Sequence, residues 1–207
     1  MHEPPMTSLA SLESWCRTQN LDWNDAKAAQ FSRYIDLLCR YQKQTNLTGF
    51  STPEAIIREL FIDSLEILRA GRPSGTMIDV GTGAGFPAIP IKIMIPELDV
   101  ILVEPRVKRY AFLGLVVREL ALQNVTMVKS PIEHVDVPAS LQWAISKAFA
   151  PLPIWLETAR PWAARGAQVA CLVSKSDWES FDLERAGYRV IHRIEERNRV
   201  YVVVAIK

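Results

Sequence analysis

The sequence predicts an α/β fold: a mostly parallel seven-stranded sheet that ends in an antiparallel hairpin and follows an N-terminal helical extension. Three observations carry this. From residue 76 onward short β-rich runs alternate with helical segments, which implies right-handed βαβ crossovers. The last two runs are too close in sequence for a parallel crossover and must pair antiparallel. Residues before 73 show helical periodicity and no strand signal.

Taken in order, residues 1 to about 7 read as a loose tail, followed by two helical patterns. In the second, Asn24 serves as N-cap with Asp25 in the first turn, and Phe31, Ile35 and Leu38 recur on one face. A third helix starts at Thr52-Pro53-Glu54, with proline at the first helical position. It runs through Ile56, Leu60, Ile67 and Leu68 and stops near Gly71-Arg72-Pro73. The strands then read Met77–Val80, Val100–Val103, Val125–Val128, Trp143–Ser146 and Gln168–Val173, with helices near 107–121 and 152–163. Arg189–Ile194 and Val200–Ile206 form the terminal hairpin. The expected division is a helical extension over 1–72 and an α/β domain over 73–207, acting as one compact unit.

Composition sets limits on function. With 207 residues and 49% hydrophobic content the chain can form a core without disulfide or metal staples. A net charge of +1 gives no bulk attraction for nucleic acid, so any RNA partner needs a local basic patch. Cys16, Cys39 and Cys171 are far apart and lack CxxC spacing, which fits a reducing compartment and no metal site. The first residues lack a signal-peptide pattern, and no apolar run reaches the ~18 residues of a membrane span. These readings lead us to expect a cytoplasmic protein.

The chemistry-bearing feature is Asp79-Val80-Gly81-Thr82-Gly83-Ala84-Gly85 after the first strand. In open α/β sheets ligands sit beyond the carboxyl ends of the strands. Gly81, Gly83 and Gly85 make a GxGxG spacing, whereas a dinucleotide fold wants GxGxxG, and Phe86 stands at that third position. The loop therefore suits an adenosyl and amino-acid moiety with no pyrophosphate, Asp79 orienting a cationic amino group directly or through water. Glu104, at the second strand's end, is placed to accept from ribose hydroxyls. No GxxxxGK[ST] occurs, so a P-loop is excluded.

At these residues the sequence resembles the bacterial 16S ribosomal RNA guanine-N7 methyltransferases, the glucose-inhibited division protein B family. The resemblance runs through Asn46-Leu47-Thr48, Asp63-Ser64-Leu65, the segment 79–90 with Pro87 and Pro90, Lys108-Arg109, and Phe112-Leu113. It continues through Val117–Leu120, Ser146–Ala150 and Arg199. It implies a Rossmann-like class I methyltransferase that carries a methyl group from S-adenosylmethionine to guanine N7 in 16S rRNA or the small subunit; separately, we expect a monomer. Carried over by position, the cofactor contacts are Gly81, Phe86, Ile132, Glu133 and Lys147, beside Asp79, Gly83, Gly85 and Glu104 from the motif. The family usually has arginine at Lys147, histidine at Leu60, leucine at Phe86, glycine at Ala88, aspartate at Glu104 and Lys-Gly at Val173-Ser174.

Guanine N7 has an in-plane lone pair and no proton, so methylation needs no general base and no catalytic side chain is expected. His2, His134 and His192 show no spacing with a nucleophile. Cys171 lies in an apolar strand, against a cytosine C5 enzyme. Ser146-Lys147-Ala148-Phe149 replaces the Asn/Asp-Pro-Pro-aromatic turn of amino-group methyltransferases. Phe149 could stack on a base or pack in the core. Lys108, Arg109, Arg197 and Arg199 are the other RNA-side candidates. Still open on residues alone are a small-molecule methyltransferase, its substrate lidded by the N-terminal helices, and a cofactor-binding protein without turnover.

Overall fold

A computed structural model describes residues 6–45 and 48–207, so His2, Asn46 and Leu47 lie outside the described residues. Helix α1 (Met6–Thr18) begins inside the stretch expected to be tail. Helix α2 (Asp25–Thr45) starts where its cap predicts, the Lys27 amide donating to Asn24 Oδ1 at 3.0 Å. Phe31, Ile35 and Leu38 are buried as their spacing requires.

The helix expected from Thr52 is capped as read, Thr52 Oγ1 accepting from the Ala55 amide at 3.3 Å. It is not one regular helix. It runs as α3 (Pro53–Ile56), a π-helical stretch (Ile57–Ile62), α4 (Asp63–Leu65) and α5 (Ile67–Ala70). Such π segments concentrate at functional sites because they re-aim side chains without ending the helix. Here the segment brings Glu59 and, at its carboxyl end, Asp63 to the same basic residues.

Seven strands follow: β1 (Thr76–Val80), β2 (Asp99–Val103), β3 (Val125–Val128), β4 (Leu141–Lys147), β5 (Gln168–Ser174), β6 (Tyr188–Glu196) and β7 (Arg199–Ile206). Helices α6 (Ala88–Met94), α7 (Val107–Glu119), α8 (Leu152–Ala163) and α9 (Lys175–Glu179) intervene. The sheet order is β3-β2-β1-β4-β5-β7-β6, with β7 antiparallel to β5 and β6. The fold class read from sequence is therefore the observed one, with the hairpin turn shortened to Arg197-Asn198.

Residue alternation divides the core. Met77, Val100, Trp143, Ala170 and Val203 face a layer built by α1, α2, the 53–70 helix, α6 and α7. Ile78, Ala144, Cys171 and Val202 face α8. Because both faces are covered, the central strands read as continuous apolar runs. The sheet order reverses between β1 and β4, the crevice where this architecture holds ligands.

Candidate active site

The glycine loop leaves β1 and is tied at once to β2: the Gly81 and Thr82 amides donate to Val103 O at 3.0 and 3.2 Å. Asp79, fully buried beneath it, accepts from Thr82 Oγ1 at 2.6 Å and the Ala88 amide at 3.2 Å, both on Oδ2. Its Oδ1 is buried without a partner. Burial pushes this carboxyl up to about 7, against the lowering effect of those two donors. Glu104 reaches back over the loop and accepts from the Gly83 amide at 3.0 Å and the Arg106 amide at 2.8 Å.

Each glycine answers a different demand. Gly85 (φ +106) is closed in from the helical extension, since a Cβ there would lie 2.4 Å from Ile89 Cδ1 and 2.6 Å from Tyr34 Oη. Tyr34 donates to Ala84 O at 2.5 Å and stacks on Phe86 with centroids 5.4 Å apart. Phe86 is thus an aromatic brace between loop and α2. Gly83 (φ +63) faces open space: a Cβ there would meet nothing nearer than Arg109 Nη1 at 3.7 Å. A cradle that a Cβ would fill, above an acid with a spare buried oxygen, fits an adenosyl amino acid.

Phe149 is not core: it is 36% exposed and its Cδ2 lies 2.7 Å from where a Cβ on Gly81 would stand. It follows Ala148, whose φ of +55 is strained for a non-glycine residue, and meets Trp155 edge-on. The ring therefore spans the β1/β4 crevice. Ile132 is buried with Val80 and Val103, while Glu133 beside it is exposed in a 3₁₀ turn after β3.

Beyond Phe149 a groove of about 510 Å³ opens at the carboxyl ends of β4 and β5, lined by Asp63, Lys147, Val173, Ser174, Arg197 and Arg199. The antiparallel β7 explains the arginines, because pairing Ser174 with Arg199 delivers the amino end of β7 to the carboxyl end of the parallel strands. Asp63 is the hub. It pairs with Lys147 and with Arg199, and accepts from Tyr201 Oη at 2.6 Å. Lys147 also donates to Glu59 O at 3.2 Å, and Arg199 lies 3.5 Å from the Glu59 carboxylate. Burial holds the Lys147 ammonium below the usual lysine range, with Asp63 opposing.

Lys147 therefore faces the acidic hub; its ammonium is 6.0 Å from the Phe86 ring centroid. Arg109 adjoins Gly83, and with exposed Lys108 it belongs to α7 after β2. Four strand spacings separate that end from β7, roughly 19 Å at ~4.8 Å each, so the two basic pairs do not converge. Asp63, Glu59, Tyr201 and Tyr34 were not among the expected site residues. Only the Asp63-Ser64 pair carried a signal, through the resemblance. The Val173-Ser174 departure has a local reason: Ser174 caps α9, accepting from the Asp177 amide at 3.1 Å. Burial pushes the Cys171 thiol up to about 12, so it is no nucleophile.

Residues 27–200 match the family model described as GidB, rRNA small subunit methyltransferase G. The chain belongs to this family. It is 37% identical over 164 residues to a ribosomal RNA small subunit methyltransferase G of Clostridium botulinum (strain 657 / Type Ba4), covering 75% of this chain and 67% of the relative. Another from Clostridium botulinum (strain Loch Maree / Type A3) is 33% identical over 187 residues, covering 87% and 78%. Among solved structures, a SAM dependent methyltransferase from Aquifex aeolicus superposes with a TM-score of 0.57 at 23% identity, covering 74% of this chain and 93% of that one. A ribosomal protein L11 methylase from Lactobacillus delbrueckii subsp. bulgaricus gives 0.55 at 15%, covering 70% and 77%. These likenesses bear out the class I, Rossmann-like fold. As a family member the chain is a methyltransferase whose cofactor is S-adenosylmethionine.

Proposed function

We propose that this enzyme methylates N7 of a guanine in 16S ribosomal RNA, as a cytoplasmic monomer in which 1–72 and 73–207 work as one unit. The observation that carries the proposal is the charged groove of Lys147, Asp63, Arg197 and Arg199, open at the carboxyl ends of β4 and β5 beside the glycine loop. Four of its nine lining residues are charged beside Ala148, Leu172 and Val173, a mixture that suits the edge and face of a nucleobase, while α2 braces the glycine loop through Tyr34. Among the described residues no helix is long and apolar enough to cross a membrane.

In this reading Gly81, Gly83 and Gly85 admit the cofactor's backbone-hugging part, with Asp79 beneath them bracing the loop. Glu104 would serve the ribose, and Ile132, Glu133 and Phe86 the walls. When bound, the sulfonium supplies an electrophilic methyl group. The protein's own work is alignment: Phe149 stacks on the base, while Arg197, Arg199 and Lys147 hold its surroundings. Lys108 and Arg109 contact the phosphate backbone on the far side. No proton has to leave N7, so positioning accounts for the rate, an effect worth up to ~7–11 kcal/mol in favourable cases. The methylated ring becomes cationic, and Asp63 and Glu59 offset the basic residues that would otherwise oppose it.

The test is direct. Purified protein, S-adenosylmethionine and unmodified small-subunit rRNA or particles are incubated, then reduced and treated with aniline, which cleaves at N7-methylguanine. One new cleavage site is expected. A methylated product without aniline scission would move the reaction to another atom.

A further inference from the structure

A second cavity of about 330 Å³ lies between α1, the 53–70 helix and the β6–β7 hairpin. It shares Asp63, Arg197 and Arg199 with the groove at the carboxyl ends of β4 and β5, so an arginine pair stands between two adjoining hollows. Arg197 sits in the tight hairpin turn at φ +57 with its side chain 61% exposed, and therefore projects from the ridge.

The second cavity differs chemically from an anion trap. Its lining includes four guanidinium groups, of Arg58, Arg69, Arg197 and Arg199, and four carboxylates, of Glu59, Asp63, Glu66 and Glu196. They pair with one another: Arg69 lies 2.6 Å from Glu66 and 3.4 Å from Glu196, and Arg58 lies 2.7 Å from Glu59. Trp15 Nε1 donates to Glu66 at 3.2 Å and places an indole in the wall. The tight Arg58–Glu59 and Arg69–Glu66 pairs leave the cavity itself little net attraction for a free phosphate. Arg197 and Arg199, by contrast, lie 3.9 and 3.5 Å from Glu59 with their side chains partly exposed on the ridge beside it. The cavity suits a neutral planar group whose edge carries both donors and acceptors, which describes a nucleobase.

Single-stranded RNA offers that arrangement. Recognition of loops proceeds by splaying bases into separate pockets while cations track the connecting phosphate. Hollow, arginine pair, hollow matches base, phosphodiester, base. We propose that the 330 Å³ cavity takes the base of the nucleotide next in chain to the methylated guanine, with the joining phosphate on Arg197 and Arg199. This rests on the rRNA reading above and adds a specificity determinant to it.

The experiment crosses protein and RNA changes. Methyl transfer from labelled S-adenosylmethionine is measured on small-subunit rRNA carrying each base substitution directly 5′ or 3′ of the methylated guanine. Wild type is compared with Glu196→Gln and Trp15→Phe, and melting temperatures verify that each variant is folded. One flanking substitution should cost wild type about ten-fold in kcat/KM. Glu196→Gln should lose a similar factor on native RNA, chiefly through KM, and lose little more on the substituted RNA. Cofactor affinity should stay at the wild-type value. Fully additive losses at both flanking positions, or variants with wild-type kinetics, overturn the proposal while leaving the rRNA reading intact. A wild-type protein that transfers no methyl group to rRNA overturns both. If Glu196→Gln melts early, Trp15→Phe, which keeps an aromatic wall but removes the indole donor, decides between the same two outcomes.

Discussion

Asp63 receives three partners, Tyr201, Lys147 and Arg199, from strands more than 80 residues away in the chain. Removing one member of a buried charge set leaves the others uncompensated. Asp63→Asn, which keeps an acceptor for Tyr201, should lower unfolding free energy by about 3 kcal/mol in urea titration, the partial exposure of Arg199 screening its share. A loss below ~1 kcal/mol would mean that the two cations do not depend on it. Phe149 makes a two-sided prediction, because its ring occupies the space above Gly81 and also borders the groove. Phe149→Ala should leave cofactor affinity equal or tighter while raising KM for RNA about 5- to 150-fold, the range of ~1–3 kcal/mol of stacking. A purely structural ring would weaken both. Asp79 sets a pH dependence. Its ordinary value is 3.8 and burial pushes it to about 7, so between those values the folded state holds a proton that the unfolded state has lost. Stability must therefore fall as pH rises through that window. Asp79→Asn removes the titration, and its melting temperature should fall less than that of wild type between pH 4 and pH 7. Parallel melting curves would count against it.

At the scale of the element, the glycine loop is squeezed on one side and open on the other. Gly85→Ala would drive a Cβ into Ile89 and the Tyr34 hydroxyl at φ +106, and should cost more than ~2 kcal/mol in thermal or urea unfolding. Gly83→Ala meets nothing nearer than 3.7 Å, so it should cost only about 1–2 kcal/mol for its left-handed backbone while still cutting cofactor affinity in a binding titration. Equal destabilisation by both would refute the brace. The same contrast separates what is legible in a sequence from what is not. Strands, crossovers and the caps at Asn24 and Thr52 are local patterns, and they were legible. Helix α9 has a local signature too, Ser174 with Asp177 three residues later, but it spans barely more than one turn and leaves no periodicity to read. The brace was not legible, because Tyr34 and Gly85 meet only once α2 has docked. Nor was the π-helical turn at 57–62, whose register places Glu59 and Asp63 on residues from β4 and β7. Helical periodicity encodes a face, and these contacts depend on which strand ends that face meets.

The whole molecule carries a net charge of +1, so its attraction for RNA has to be local. The candidate RNA-side cations fall into two pairs at opposite ends of the sheet's carboxyl edge. Arg197 and Arg199 already lie within reach of Glu59 and Asp63, whereas among the described residues no ion pair involves Lys108 or Arg109. Releasing counterions from phosphates makes binding fall with salt, at a logarithmic slope of about −0.7 for each phosphate neutralised on single strands. Cations that must first leave a carboxylate contribute less to that slope than unpaired ones. Cofactor-bound protein and a small-subunit rRNA fragment should therefore show a shallow slope, roughly −2 to −3, by fluorescence anisotropy from low to moderate salt. Lys108→Ala should reduce it by about 0.7 while leaving kcat nearly unchanged, since Lys108 is exposed on α7, which follows β2, two strand spacings from β4 and four from β7. Arg199→Ala should do the reverse, moving the slope little and the turnover much, because it anchors RNA at the reacting end and holds the Asp63 hub. If both substitutions shifted slope and turnover in the same proportion, the division of the basic residues into a distant tether and a reactive-end clamp would be wrong.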